Sequence, residues 1–477
     1  MTSPAGVQVR VAGAKSISEL LFAPASIAIV GASNDPAKLS GRPLDYLRTF
    51  GFAGSVYAVN PLRPEVQGIA TYPSVTAIGA PVDLAVIVVP AGLVPAAVAD
   101  CAQARVGVAI VFASGFAEAA AGGADLQSEV DAAMAGSSLR LLGPNCLGSF
   151  ALPAKAFATF SSAFDEATAV VDEPIALVTQ SGAVGTFIYS TFARLGGGVR
   201  YFANPGNEAD LTVPDLLLDL AGRDDVDILA GHLEGLRRPD VLREAAATAR
   251  AADKPMILIK AGRTPEGGRA VAAHTASDPG DDEAFAELAR AEGIVRVDGM
   301  ESMVDTLLVF RPRRRAGGRR VTMVTQSGGA GALAADATVH EGLDLAPWSA
   351  SDRRGLEQCL PAFGSAQNPI DVTGRLLTDP ALLQRVLAEV VAHDSTDVVL
   401  VLLGNSDRGA DVIVEGLTRA YESTVKPFVA VWTGGNGWAR QELLRLGVPT
   451  YTDPTRAVRA IGHLVRFSES RASGVRG

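Results

Sequence analysis

One phrase occurs twice in this chain of 477 residues, as Val178-Thr179-Gln180-Ser181-Gly182-Ala183-Val184-Gly185 and as Val324-Thr325-Gln326-Ser327-Gly328-Gly329-Ala330-Gly331. Each copy follows a short apolar run and leads into a stretch of helical pattern, so each reads as a strand, a tight turn and a helix start. Free backbone N–H groups, the positive end of the helix dipole and a serine hydroxyl then meet at one point, where a phosphate or carboxylate would sit. Ser181, Gly182 and Ala183, with Ser327, Gly328 and Gly329, are the candidate phosphate-binding residues. Histidine is scarce, with five in the chain, and His274 stands apart inside a small-residue stretch from Lys260 to Ser277. That stretch is expected to form a mobile exposed loop, where an imidazole could act as base, ligand or nucleophile. No metal-ligand partners lie at useful spacing, and two anion cradles are at hand, so a phosphoryl-accepting nucleophile is the sharper expectation. Such a ring needs its second nitrogen held. Glu234, closing the apolar run before Gly235, is the candidate orienting carboxylate.

These residues need a frame, and the frame reads as α/β. From Ser26 onward, short Val/Ile-rich runs alternate with helical patterns, which predicts parallel sheets built of βαβ units. The expected organisation is a loose lead-in over 1–18, a Rossmann-like domain over 19–150, a second domain over 151–310 and a third over 321–477. Between the last two lies Arg311-Pro312-Arg313-Arg314-Arg315-Ala316-Gly317-Gly318-Arg319-Arg320, read as a solvated basic linker rather than a nucleic-acid patch. The serines of the repeated phrase stand 146 residues apart, about one domain length, so domains two and three are expected to be copies of one flavodoxin-like unit.

The first domain opens on Val30-Gly31-Ala32-Ser33-Asn34, a Gly-led turn at the edge where doubly wound sheets bind nucleotides. It lacks the three spaced glycines of a dinucleotide fingerprint, and Asn60-Pro61-Leu62-Arg63 stands where an acidic residue would end the second strand. A neutral or basic strand end suits a phosphorylated ribose, so CoA fits better than NAD.

Bulk properties narrow the classes. A chain of this length exceeds one core, and 48% hydrophobic residues with 50 glycines fit short buried strands. A net charge of −10 disfavours broad nucleic-acid or anionic-membrane surfaces. Cys101, Cys146 and Cys359 are odd in number and scattered, which argues for a reducing compartment. No apolar run approaches the roughly 18 residues of a membrane span, and no leader pattern opens the chain. A soluble cytoplasmic protein without a metal site is expected.

Taken together and in order, the phrases resemble the NDP-forming acyl-CoA synthetases, relatives of succinyl-CoA synthetase. They include Gly31-Ala32-Ser33, Val56 to Pro61, Val86 to Pro90, Ser114-Gly115-Phe116, Gly143 to Gly148, both Thr-Gln-Ser-Gly loops, Gly206 to Asp210, Lys260 to Arg263, His274-Thr275 and Asn368 to Gly374. The resemblance implies an N-terminal Rossmann-like CoA-binding domain followed by two flavodoxin-like, succinyl-CoA synthetase-like domains. It implies formation of acyl-CoA, ADP and phosphate from a carboxylic acid, CoA and ATP through a phosphohistidine and an acyl phosphate. His274 would be phosphorylated, Glu234 would orient it, and the two Ser-Gly helix starts would hold the phosphoryl group from opposite sides. Gly31, Ala32, Ser33, Asn34, Asn60, Pro61, Arg63, Val89, Pro90, Ala113, Ser114, Asn145 and Cys146 would bind CoA, with Arg63 on a phosphate and Ala113 and Ser114 along the pantetheine. ATP and Mg2+ would come only with a separate ATP-grasp β subunit in an oligomer, because no segment of this chain matches that domain. The chain departs from the family pattern after His274-Thr275, where Ala276-Ser277-Asp278-Pro279-Gly280-Asp281-Asp282 replaces a Gly/Ala/Leu run. Alternatives are a catalytically silent CoA or acyl-CoA sensor, and an ATP-independent acyl or carbamoyl transferase.

Overall fold

The computed structural model of the chain describes residues 15–119, 122–164, 170–275, 279–379 and 381–474. Three sheets, each carrying helices, follow one another along the chain.

In the first sheet the order is Glu65–Val66, Ile69–Tyr72, Ser55–Val59, Ser26–Val30, Leu84–Ile87, Val108–Val111 and Arg140–Leu142. All pairings are parallel except the first. Strands Ser26–Val30, Leu84–Ile87 and Val108–Val111 are buried along their whole length, which is why they read as unbroken apolar runs. The chain leaves Ser26–Val30 to one side and returns on the other, so the carboxyl ends of that strand and Leu84–Ile87 flank a topological switch point. Gly31 is needed there: its φ is +91°, and a Cβ would stand 2.8 Å from Val89 Cγ1. A short helix, Ile17–Phe22, with a Ser16/Glu19 capping box at its start, spans the expected boundary between lead-in and first domain.

The second sheet runs Val295–Val297, Met256–Lys260, Ile228–Leu233, Ile175–Thr179, Tyr201–Asn204, with the antiparallel strands Gly148–Ala151 and Ala156–Thr159 added at its edge. The third runs Asp344–Leu345, Arg320–Thr325, Val398–Gly404, Phe428–Thr433, Thr450–Tyr451, with Ile370–Asp371 beside Val324–Thr325. Leaving the antiparallel pair and that extra strand aside, both follow the 2-1-3-4-5 order of a flavodoxin-like unit, and in both the Ser-Gly loop leaves the central first strand. The two units share a core. Helices Gly182–Arg194, Met300–Phe310, Pro454–Gly474 and Gly328–His340 pack in that sequence between the sheets. Phe310 and Phe467 meet edge to face at 5.4 Å between ring centroids, and Thr306 Oγ1 bonds His463 Nδ1 at 2.9 Å. Both Ser-Gly helices therefore belong to one helical layer.

The arginine-rich segment is docked rather than solvated. Arg311 pairs with Glu173, Arg313 with Asp227 and Arg315 with Asp253 on one side, and Arg319 with Glu469 and Arg320 with Asp397 on the other. Arg314 lies over the Tyr421 ring at 3.6 Å and donates to Lys426 O. Each exposed pair contributes roughly 0–1 kcal/mol, but together they hold the segment against both units. Local composition could not show this, because every partner lies far off in sequence.

Candidate active site

The first Ser-Gly loop is built by close packing. Buried strand Ile175–Thr179 ends at Gln180, and Gly182 opens helix Gly182–Arg194 with Ser181 as its N-cap. Ser181 is 9% exposed, yet its hydroxyl makes no capping bond to the helix. A Cβ on Gly182 would stand 2.6 Å from Leu147 Cγ, and one on Gly185 would overlap Thr179 Oγ1. The glycines are thus required by proximity, and they leave the first-turn N–H groups open to an anion. Asn204, fully buried, donates from Nδ2 to Thr179 O (2.6 Å) and Gln180 O (2.9 Å), while its Oδ1 accepts from Leu147 N at 2.6 Å.

Gln180 fixes the neighbouring strand end. Its N donates to His232 O at 2.9 Å, and its Oε1 accepts from Glu234 N (2.7 Å) and Gly235 N (3.1 Å). The second copy repeats the device: Gln326 N donates to Leu402 O, Gln326 Nε2 to Gly404 O, and Ser406 Oγ donates to Gln326 Oε1. Gln180 and Gln326 are positioning residues that sequence reading passed over, although their recurrence in both phrases was the available signal. Glu234 is buried, and the buried Lys260 donates from Nζ to Glu234 O at 2.9 Å and Ala261 O at 2.6 Å.

The segment carrying His274 is a helix, Pro265–Thr275, not the expected loop. Pro at the first position, Glu266 in the first turn and three later alanines favour it, and Thr264 Oγ1 accepts from Gly267 N at 3.1 Å. The helix follows Met256–Lys260, the strand paired with Ile228–Leu233, just beyond whose end Glu234 lies. The side chain of His274 lies outside the described residues. Pro279 packs beside the helix start: a Cβ on Gly262 would stand 2.9 Å from Pro279 Cβ.

A cavity of about 420 Å3 brings Asn145, Cys146, Ser181, Gly182 and Ala183 together with Arg42, Phe112, Phe160, Gln180, Phe187 and Asn204. Arg42 and the three phenylalanines carried no local motif. The Cys146 thiol is buried, donates to Val111 O at 3.2 Å and is pushed up to about 12 by burial, so it serves as wall and not as nucleophile. Asn145, at φ +57°, donates to Asn207 Oδ1 at 3.2 Å, and Asn207 donates to Glu118, whose carboxylate also accepts from Gly115 N. This chain of bonds ties the first sheet's edge to the second unit.

The other candidates lie apart from the cavity lining. Ser33 and Asn34 sit in a turn held by Gln67, whose Nε2 donates to Ser33 O (2.8 Å) and whose N donates to Asn34 Oδ1 (2.6 Å). Asn60 Nδ2 donates to Ala32 O at 3.0 Å. Arg63, Pro61, Pro90 and Ser114 are exposed, and Val89 and Ala113 half-buried, along the same carboxyl edge. The Ser327–Gly329 loop is exposed at the edge of the third sheet, where Ser327 Oγ accepts from Ala330 N at 3.4 Å.

The sequence itself matches three family models: a CoA binding domain over 25–150, a succinyl-CoA ligase like flavodoxin domain over 172–310 and a ligase-CoA domain over 321–388. It is 31% identical to the α subunit of ADP-forming acetate–CoA ligase I of Pyrococcus furiosus, over 95% of this chain and 98% of that one. The chain belongs to the NDP-forming acyl-CoA synthetases. It is also 35% identical to ADP-forming acetate–CoA ligase I of Archaeoglobus fulgidus, across 95% of this chain but 64% of that longer protein. The dinucleotide-forming acetyl-coenzyme A synthetase 1 of Ca. Korarchaeum cryptofilum, solved with phosphate and ADP, superposes with a TM-score of 0.87 at 30% identity, covering 97% and 98% of the two chains.

Within this acyl-CoA synthetase chain, Glu208 is a further buried acid close to the site. It is 2% exposed at φ +55°, its Oε1 accepts from Val213 N at 2.7 Å, and its Oε2 is buried without a partner among the described residues. Burial pushes its carboxyl from 4.5 up to about 7, against the pull of Arg237 and aided by Asp215 and Glu234. Because the folded value is raised, the native state holds the extra proton between the two values. Stability therefore falls as pH rises from about 4.5 through about 7. Glu208→Gln keeps the acceptor and removes the charge. Thermal unfolding should find this variant more stable than the parent at pH 8, by on the order of 2 kcal/mol, and nearly equal to it at pH 4.5.

Proposed function

We propose that this chain is the α subunit of an ADP-forming acyl-CoA ligase, working with a separate ATP-grasp β subunit on a small carboxylic acid, CoA and ATP. The observation that carries the reading is the convergence on one cavity of the Ser181 helix start, Asn145 from the first sheet's edge and, through Gln180, the strand end bearing Glu234. His274 takes the γ-phosphoryl group of ATP, a P–N bond forming as the P–O bond to ADP breaks. The acid's carboxylate takes it in turn, a P–O bond replacing the P–N bond. The CoA thiol attacks the acyl phosphate, a C–S bond replacing a C–O bond, and phosphate departs with the thiol proton.

Each step moves an anion, so oriented N–H groups are the appropriate catalysts. Ser181, Gly182 and Ala183 receive the phosphoryl oxygens at the cavity, and Ser327, Gly328 and Gly329 receive them from the third unit. Glu234 holds the second imidazole nitrogen. Gly31 to Asn34, with Asn60, Pro61 and Arg63, seat the CoA phosphates, while Val89, Pro90, Ala113, Ser114 and Asn145 line the pantetheine arm. Three free cysteines suit a cytoplasmic setting.

Incubating the chain with acyl-CoA and radiolabelled phosphate should produce a base-stable, acid-labile label. Ser181→Ala and Ser327→Ala should each slow that labelling, roughly ten- to a hundredfold. Absence of label from CoA-binding protein with the β subunit present would overturn the function, and effects of the two serines on two different ligands would overturn the single shared site.

A further inference from the structure

We propose that the cavity beside Ser181 selects a carboxylic acid carrying an aromatic ring, with Phe112, Phe160 and Phe187 as the walls that read it. The inference rests on the ligase function above and names its substrate class. The cavity measures about 420 Å3. The cavity is open toward solvent, so its volume does not exclude a ring.

Its lining combines the polar Asn145, Ser181 and Asn204 with the aromatic Phe112, Phe160 and Phe187. Ser181 presents a hydroxyl that makes no capping bond, beside the first-turn N–H groups. Phe187 lies on the same helix five residues beyond Gly182, about 7.5 Å along the axis. Helical side chains lean toward the N-terminus, so the Phe187 ring lies nearer the helix start than that backbone interval, within reach of a ring joined to a carboxylate. Phe187 is 55% exposed although it lines the cavity, so an aromatic ligand would cover apolar surface now facing water.

The remaining wall is rigid. Phe112 and Phe160 meet edge to face with centroids 4.8 Å apart. The segment behind Phe160 is pinned by Arg42 Nη1 donating to Phe160 O (3.0 Å), Tyr46 OH to Ser161 O (2.9 Å) and Thr159 Oγ1 to Leu147 O (2.6 Å). A wall pinned in this way keeps its shape when the acid binds.

The test uses the full chain and phosphate-dependent labelling, comparing phenylacetyl-CoA and benzoyl-CoA with acetyl-CoA by kcat/KM. The aryl thioesters should label at least tenfold more efficiently. Phe187→Ala should lower the aryl-to-acetyl ratio about tenfold, and Phe160→Leu should lower it in the same direction, with melting curves confirming that both fold. A preference for acetyl-CoA, or a ratio unmoved by Phe187→Ala, would overturn the inference while leaving the ligase function intact. An unmoved ratio with weakened β-subunit binding would make Phe187 a docking residue instead. Loss of label with every thioester, β subunit present, would overturn the ligase function and this inference with it.

Discussion

His274→Ala is expected to remove the acid-labile phosphoryl label completely and to lower acyl-CoA formation with the β subunit at least a thousandfold. Deleting a covalent nucleophile removes a step that no neighbour can replace. The other histidines are poorly placed to substitute. His232 is buried within strand Ile228–Leu233. His463 is buried against Thr306, and burial chiefly holds it down at about 4. His340 ends helix Gly328–His340, and His393 stacks on Trp348 at 4.1 Å. The fold should survive, because alanine is the best helix former and the position closes helix Pro265–Thr275. Unfolding midpoints within about a degree, alongside lost label, would separate chemistry from stability. Label persisting above a tenth of the parent's would place the phosphoryl acceptor elsewhere.

Asn204→Ala is expected to be the most destabilising single change near the site, and to slow labelling as well. The amide makes two buried bonds to backbone carbonyls of the Ser-Gly loop and accepts a part-buried one from Leu147 N. Each orphaned buried group costs about 1–3 kcal/mol. A total of roughly 3–5 kcal/mol is expected, since the three are not independent. Denaturant unfolding should show that loss at unchanged m-value. Labelling of the folded fraction should fall about tenfold, because Leu147, Gln180 and the helix start lose their common support. A loss under 1 kcal/mol would mean that water replaces the amide and that the loop holds its own shape.

Much of this protein was legible in its residues, and for local reasons. A Gly-led turn after an apolar run, twice over, specifies strand, turn and helix start from steric limits alone. Burial on both faces makes parallel strands continuous apolar runs, which is why the cores of all three sheets could be read in order. Where sequence reading erred, either a short-range choice or a distant partner decided. The small residues before His274 suit a loop or a helix equally, and Thr264 and Pro265 settle it as a helix. Strands Gly148–Ala151 and Ala156–Thr159 have no pattern of their own and exist because Tyr201–Asn204 offers an edge to pair with.

By themselves, then, the residues determined the α/β class, the doubled flavodoxin-like unit and the strand-turn-helix form of both Ser-Gly loops. All of these follow from backbone geometry and chemistry within a few positions. Only the tertiary structure decided that the arginine-rich segment is a clasp, that Gln180 and Asn204 hold the loop, and that three phenylalanines from separate segments wall one cavity with Ser181. Those depend on contacts between segments tens to more than a hundred residues apart, and the free energy of such contacts leaves no periodicity in the chain.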